Sequence, residues 1–423
     1  MNLLIIRKDK ILFGLYIFII LSEWIGNFIS QPLGIRHLSL LLVPLLLIRS
    51  LRAQKRTLMY LCYLTILSIL AYLFDNADFF NFSVGYFFTF FFLFIHVIFY
   101  SIGISYHRLI NLLHLIVFAN LVFAMPTLFG ALVDFDLRNH PGVFREVGAF
   151  ATTMMASQII CLLLYRLTSR SKYFKLACFF SLICMLTILK KTMFLSLFVW
   201  VLYAAFYLDY KKWLFNPRVW ISLVLITLVM ATPMQKNFAK NLSYLNYVGA
   251  ENHVRIGMYI SAVKISIDHA PFGSGLGTFG SFASIINNPI SEGYFDYKYN
   301  DIYHRYGVAS IAGNSEERMR DGGMTVLDTY WPHILAELGI VGFIVMLSFW
   351  ARQVYTFFIN RKRMNIQTSA FAFYICAIYI AVIGEGLALI QPELPFFVFF
   401  HAGLSAMFLR KISTYKRRRL DKF

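Results

Sequence analysis

Residues 11–30, ILFGLYIFIILSEWIGNFIS, run apolar for the length that a helix needs to cross a lipid bilayer. The hydrocarbon core is about 30 Å thick, and at about 1.5 Å per residue a crossing helix takes roughly 20 residues. Similar runs return along the whole chain, so the sequence cannot be built around one water-facing shell. Charged residues make up 14% of it and hydrophobic ones 59%, with a mean hydropathy of +0.65. Soluble domains carry roughly 25% charged residues. The chain is therefore expected to be all-α and polytopic. The first run follows the basic RKDK and has no small-x-small cleavage site behind it, so it is expected to stay as a first span.

About twelve spans are expected, near 11–30, 33–48, 57–74, 82–105, 109–131, 149–167, 176–189, 192–208, 219–232, 332–351, 367–390 and 394–409. They divide the chain into a first membrane block (1–232), one long polar segment (233–331), and a second membrane block with a basic tail (332–423). No repeat of 20–50 residues is visible.

The positive charge sorts by side. Of 39 Lys and Arg, 26 fall in the segments that are inside if the amino terminus is cytoplasmic. Cytoplasmic loops carry such an excess, so both termini are expected in the cytoplasm and the long segment outside, between spans nine and ten. The net charge of +18 thus reports orientation and contact with anionic lipid rather than nucleic acid, and the terminal YKRRRL reads as a membrane-surface tail. The five cysteines lie in apolar spans without a C-x-x-C pair, and are expected to be small packing residues.

Five cations break the pattern by falling in short outside connections: Arg36, Arg138, Arg145, Lys190 and Lys191. Lys190 and Lys191 either solvate a tight helical hairpin or hold an anion at the outer face. Arg145 either snorkels to the interface or offers its planar fork to a phosphate. In the long segment, HVRIGMYISAVKISI puts Ile256, Ile260, Val263 and Ile267 on one helical stripe and Asn252, Arg255 and Tyr259 on another. An amphipathic helix at the outer interface is expected there. It should end at HAPFGSGLGTFG, where Pro271 and glycines force a turn whose amides could approach a polar ligand. GSGLG lacks the strand and helix context of a nucleotide site.

DTYWPHILAELGIVGF opens the next span. Asp328 either caps this helix or orients a hydroxyl, and Trp331 suits an interface anchor. His333 and Glu337 stand one turn apart where an apolar face is expected, and Glu385 is a third intramembrane ionisable group. His96 and His114 are expected to be interhelical hydrogen-bond partners.

Taken in order, these segments resemble the bacterial O-antigen polymerase and ligase superfamily. The residues that carry the likeness are Arg145, Gly148 and Phe150; Lys190 and Lys191; Arg255; Pro271, Gly273, Gly275 and Phe279; and Asp328, Glu337, Gly339 and Gly342. The ligases typically carry His-Asn where this chain has Asp328-Thr329, which favours a polymerase. The resemblance implies a glycosyltransferase of the bacterial inner membrane that acts outside on undecaprenyl-pyrophosphate-linked oligosaccharide, with membrane lipid and a chain-length regulator as partners and no nucleic acid. Arg255 and Asp328 are expected to be catalytic. Arg145, Lys190, Lys191, Arg320, His333 and Tyr259 are expected to bind pyrophosphate or glycan. An inverting reaction with no metal and no cofactor is expected, since no D-x-D cluster occurs in the segment. A ligase that passes glycan to lipid A core, or a transporter, are the alternatives.

Overall fold

The computed structural model describes residues 9–17, 54–75, 79–134, 147–187, 190–208, 254–279, 330–385 and 393–420, with the backbone alone at some helix positions. Most of these residues are helical, and no strand occurs among them. After a helical stretch at 9–17 come α1 (Lys55–Asp75), α2 (Phe79–Phe99), α3 (Tyr106–Asp134), α4 (Val147–Thr168), α5 (Ser171–Leu186) and α6 (Lys190–Tyr207). Then follow α7 (Val254–Asp268), α8 (Tyr330–Asn360), α9 (Ile366–Glu385) and α10 (Glu393–Leu420). Five segments are long and apolar enough to cross a membrane: Lys55–Phe74, Tyr106–Gly130, Phe150–Thr168, Tyr330–Arg363 and Ile366–Gly384. In α2, Asn81–Phe87 and Thr89–Phe99 meet at 43° and together make a sixth, while the apolar Thr192–Tyr207 is shorter.

Burial explains why the bundle suits lipid. The stretch Ala370–Val382 of α9 is almost wholly buried, and α4, α6, α8 and α10 pack around it. The flanking α1 and α3 turn Ile66, Leu73, Phe74, Phe118 and Phe129 outward instead, with Phe74 72% exposed. Contiguous apolar surface of that kind is rare on soluble monomers and ordinary against acyl chains.

Short connections make the helices antiparallel. Ser169, in the left-handed region at φ 57°, turns α4 into α5. Asn365 Oδ1 accepts from Thr368 N at 2.8 Å and starts α9, satisfying one of the amides left free in a first turn. The helix ends therefore gather at two poles. At one, Arg410 donates to Ser101 O, Gly103 lies between Asp9 and Arg410, Tyr106 Oη donates to Leu167 O, and Arg361 Nε donates to Ala205 O. Arg166, Arg170, Lys172, Lys362 and Arg363 belong to the same helix ends, so this is the basic pole. At the other, Cys184 Sγ donates to Ala151 O, Gly384 abuts Leu195, and Trp331 Nε1 donates to Ile383 O at 2.8 Å.

The poles constrain the rest of the chain. Thr57 pairs with His96 near the end of α2, so α1 starts at the basic pole, as does the stretch that begins at Asp9. Tyr207 lies at the basic pole and Pro271 at the opposite one. The spans at 33–48 and 219–232 lie outside the described residues, as does most of 11–30.

The expected boundaries shift in places. Residues 101–105 are not helical, so the fourth span ends at Phe99 rather than 105. Lys190 and Lys191 form the first turn of α6 instead of a connection before it. Two cysteines also depart from expectation: Cys161, Cys184 and Cys376 are buried, but Cys62 and Cys178 are exposed on outward faces rather than packed inside. His114 and His96 do bridge helices, His114 with Tyr173 Oη at 2.6 Å and His96 with Thr57 at 3.2 Å and Tyr379 at 3.4 Å.

Candidate functional site

Two segments singled out in the sequence, nearly sixty residues apart, fold into one unit at the pole opposite the basic one. α7 buries Met258, Ser261, Ala262 and Ile265 and packs against α8. Its sequence stripe of Ile260, Val263 and Ile267 faces outward, beside exposed Lys264 and Asp268. The buried face mixes small and large side chains, and Ile260, Val263 and Ile267 lie on the face that an interfacial helix turns to lipid.

After α7 the chain enters the glycine loop. Gly273 N bonds to His269 O at 2.9 Å, and Phe272 stacks on Phe74 at the end of α1, with ring centroids 5.6 Å apart. The loop then runs between α2, where Gly277 meets the Asn81 backbone, and α8.

α8 is broken where the loop touches it. Gly339 has φ 65° and ψ −178°, a conformation that interrupts the helical ladder. Carbonyls left over at such a break need donors, because lipid supplies none. The loop supplies them: Ser274 N bonds to Ala336 O and Gly275 N to Glu337 O, both at 3.0 Å. A β-carbon on Gly339 would lie 2.5 Å from Pro271 O and 2.6 Å from Gly273 N. Only glycine allows both the φ and the approach.

The side chains complete the join. Glu337 Oε1 accepts from Phe279 N at 2.9 Å and lies 3.3 Å from His333 Nδ1, which is itself 3.2 Å from Phe279 O. Ser274 and Thr278 hydroxyls meet at 2.6 Å, and Thr278 Oγ1 donates to Gly275 O at 2.7 Å. Glu337 is 0% exposed and His333 2%. Glu337 Oε2 is buried without a hydrogen bond. The loop amides were expected to face a ligand; those of Ser274, Gly275 and Phe279 instead bond to α8, because the broken helix needs them.

Of the expected site residues, the structure brings His333 into this unit and sets Tyr259 half-buried on the adjoining α7. Lys190 and Lys191 lie in the first turn of α6, at the loop pole, and Arg255 in the first turn of α7. The end of α9 stands between α6 and α8, through Gly384 against Leu195 and Ile383 O on Trp331. Arg145, Arg320 and Asp328 lie outside the described residues, as does Arg138. Glu337 was visible in the sequence as an intramembrane acid. The roles of Ser274 and Thr278 were not, because small hydroxyls in a glycine turn carry no periodic signal. No protein-family model matches the chain, and no curated protein matches it.

Proposed function

We propose that this chain is an O-antigen polymerase: a membrane glycosyltransferase that joins undecaprenyl-pyrophosphate-linked oligosaccharide repeats at the periplasmic face of a bacterial inner membrane. One observation carries the reading. The P-x-G-x-G-x-x-x-F and E-x-G-x-x-G segments, picked out separately by resemblance, are bonded to each other through Phe279 N and Glu337 Oε1 at 2.9 Å. The motif order thus corresponds to a physical unit. The basic pole supports a cytoplasmic assignment for that side, with both termini there and the long segment in the periplasm.

In this reading the end hydroxyl of one lipid-linked repeat attacks the anomeric carbon of the growing chain. A new C–O bond forms, the bond to pyrophosphate breaks with inversion, and pyrophosphate leaves on its lipid with the electron pair. Asp328 takes or orients the hydroxyl proton. Arg255, Arg145 and Arg320, with Lys190 and Lys191 at a helix amino terminus, balance the charge that develops on the leaving group. His333 and Tyr259 contribute to glycan binding. No metal or cofactor takes part, and a chain-length regulator is a partner.

A transporter is the second reading, favoured by a broken helix beside a buried acid. The break at Gly339, however, lies only about 14 Å along α8 from Tyr330 by helical rise, and the freed carbonyls are bonded to the loop. Purified protein incubated with lipid-linked repeats tests the choice. A ladder of products without lipid A acceptor supports the polymerase. Growth only onto lipid A core would make it a ligase, and no product with either acceptor would leave the transporter.

A further inference from the structure

Arg166 is a cation set among aromatic rings, and no described acid is paired with it. It belongs to the last turn of α4 at the basic pole. Its guanidinium carbon lies 4.1 Å from the centroid of the Tyr207 ring on α6. The Tyr203 hydroxyl, one turn earlier, is near the same guanidinium. Among the described residues Arg166 forms no ion pair with a carboxylate. Its Nε is buried and makes no hydrogen bond, and neither does the buried hydroxyl of Tyr207. Ser369, on α9, stands near that hydroxyl.

Arg361 shows what a satisfied arginine looks like at the same pole. It too lies over a ring, that of Phe358, at 4.1 Å. But its Nε and Nη1 donate to Ala205 O and Phe358 O, each at 2.8 Å, and so tie α6 to α8. Arg166 has the same chemistry with its Nε donor unspent.

A positive group with an unspent Nε donor, beside hydroxyls that can also donate, is complementary to an oxyanion with several acceptors. The surroundings select the kind of anion. Phe174 packs on Tyr165 and Trp200 close by, and Phe174, Val201 and Leu208 are exposed apolar side chains. A free phosphate has no use for such surface, whereas a phospholipid brings acyl chains to it. Basic pockets between helices at the cytoplasmic side hold anionic head groups in this way.

We propose that Arg166, Tyr203, Tyr207 and Ser369 form a binding site for the phosphate of an anionic phospholipid. This site is separate from the glycine loop and does not depend on the glycosyltransferase reading.

The test is native mass spectrometry of the purified full chain, titrated with phosphatidylglycerol or phosphatidylcholine. Wild type should retain one phosphatidylglycerol in preference to phosphatidylcholine. Arg166→Gln should bind it about tenfold more weakly or worse, Arg166→Lys should recover part of the loss, and Tyr207→Phe should also weaken it. Lys175→Gln, an equal charge change on exposed α5 surface, should bind as wild type does. Equal affinity for the two lipids, or unchanged phosphatidylglycerol binding by Arg166→Gln, would overturn the proposal. If Arg166→Gln fails to fold, Tyr207→Phe decides in the same way. Inorganic phosphate should not displace the lipid; displacement at equal concentration would make this a free-anion site and sink the lipid assignment.

Discussion

The Phe279 amide donates to Glu337 Oε1 at 2.9 Å, so the last described residue of the glycine loop is fixed to the first half of a broken helix. The backbone bonds from Ser274 and Gly275 to α8 lie beside it. Two backbone bonds thus replace, between segments distant in sequence, what the Gly339 break removes from the helix, and the Phe279 bond to the Glu337 side chain adds a third tie.

Glu337→Ala should leave the Phe279 amide buried without an acceptor and cost about 1–3 kcal/mol. Glu337→Gln keeps an acceptor oxygen and should cost less. Thermal unfolding in detergent checks the order of the two, and equal losses would show that the bond contributes nothing.

Gly339→Ala puts a methyl against Pro271 O and Gly273 N in a backbone conformation that alanine disfavours. The loop should detach from α8, with faster amide exchange at residues 273–279. Unchanged exchange there would mean that α8 straightens without the loop's help.

Ser196→Ala tests the packing of α4, α5 and α6. Ser196 Oγ donates to Gln158 Oε1 at 2.7 Å and meets Ser181 Oγ at 3.0 Å, while Gln158 Nε2 donates to Ser196 O at 3.1 Å. Interhelical bonds in lipid contribute about 0.6 kcal/mol each on average. A loss of about 1 kcal/mol is expected, read from the unfolding midpoint.

The chemistry has its own variants. Arg255→Ala should abolish chain extension while the protein is still made, and normal long glycan from it would remove Arg255 from the mechanism. Changing Lys190 and Lys191 together to alanine should raise the amount of lipid-linked donor needed, and unchanged kinetics would return them to simple solvation. Asp328→Asn should slow the chemical step more than binding; full activity would leave it a helix cap.

The thiols report on packing. Cys62 and Cys178 should react with a small maleimide in detergent, and Cys161, Cys184 and Cys376 only after unfolding. Labelling of all five in the folded protein would contradict the bundle.

The membrane helices were legible because apolar length is a strong signal, and α1, α3 and α4 fall within a few residues of their expected ends. The α7 helix was legible too, but its orientation was not: periodicity found the Ile260, Val263 and Ile267 stripe without saying that it faces out. In water such a stripe would be core, and in lipid either face can be apolar. The α8 break was hidden for another reason. Gly339 sits in an ordinary hydrophobic run, and only the approach of Gly273 from sixty-odd residues away makes its special backbone angle necessary.

The join of loop and helix has a consequence for the chain as a string. Phe279 is held at Glu337, and α8 begins at Tyr330, so residues 280–329 leave and re-enter within two helical turns of each other. The entropy of closing such a segment grows only slowly with its length, so material can be inserted there at little cost. A backbone cut within it would separate the covalent halves while the Ser274, Gly275 and Phe279 bonds still hold them in register.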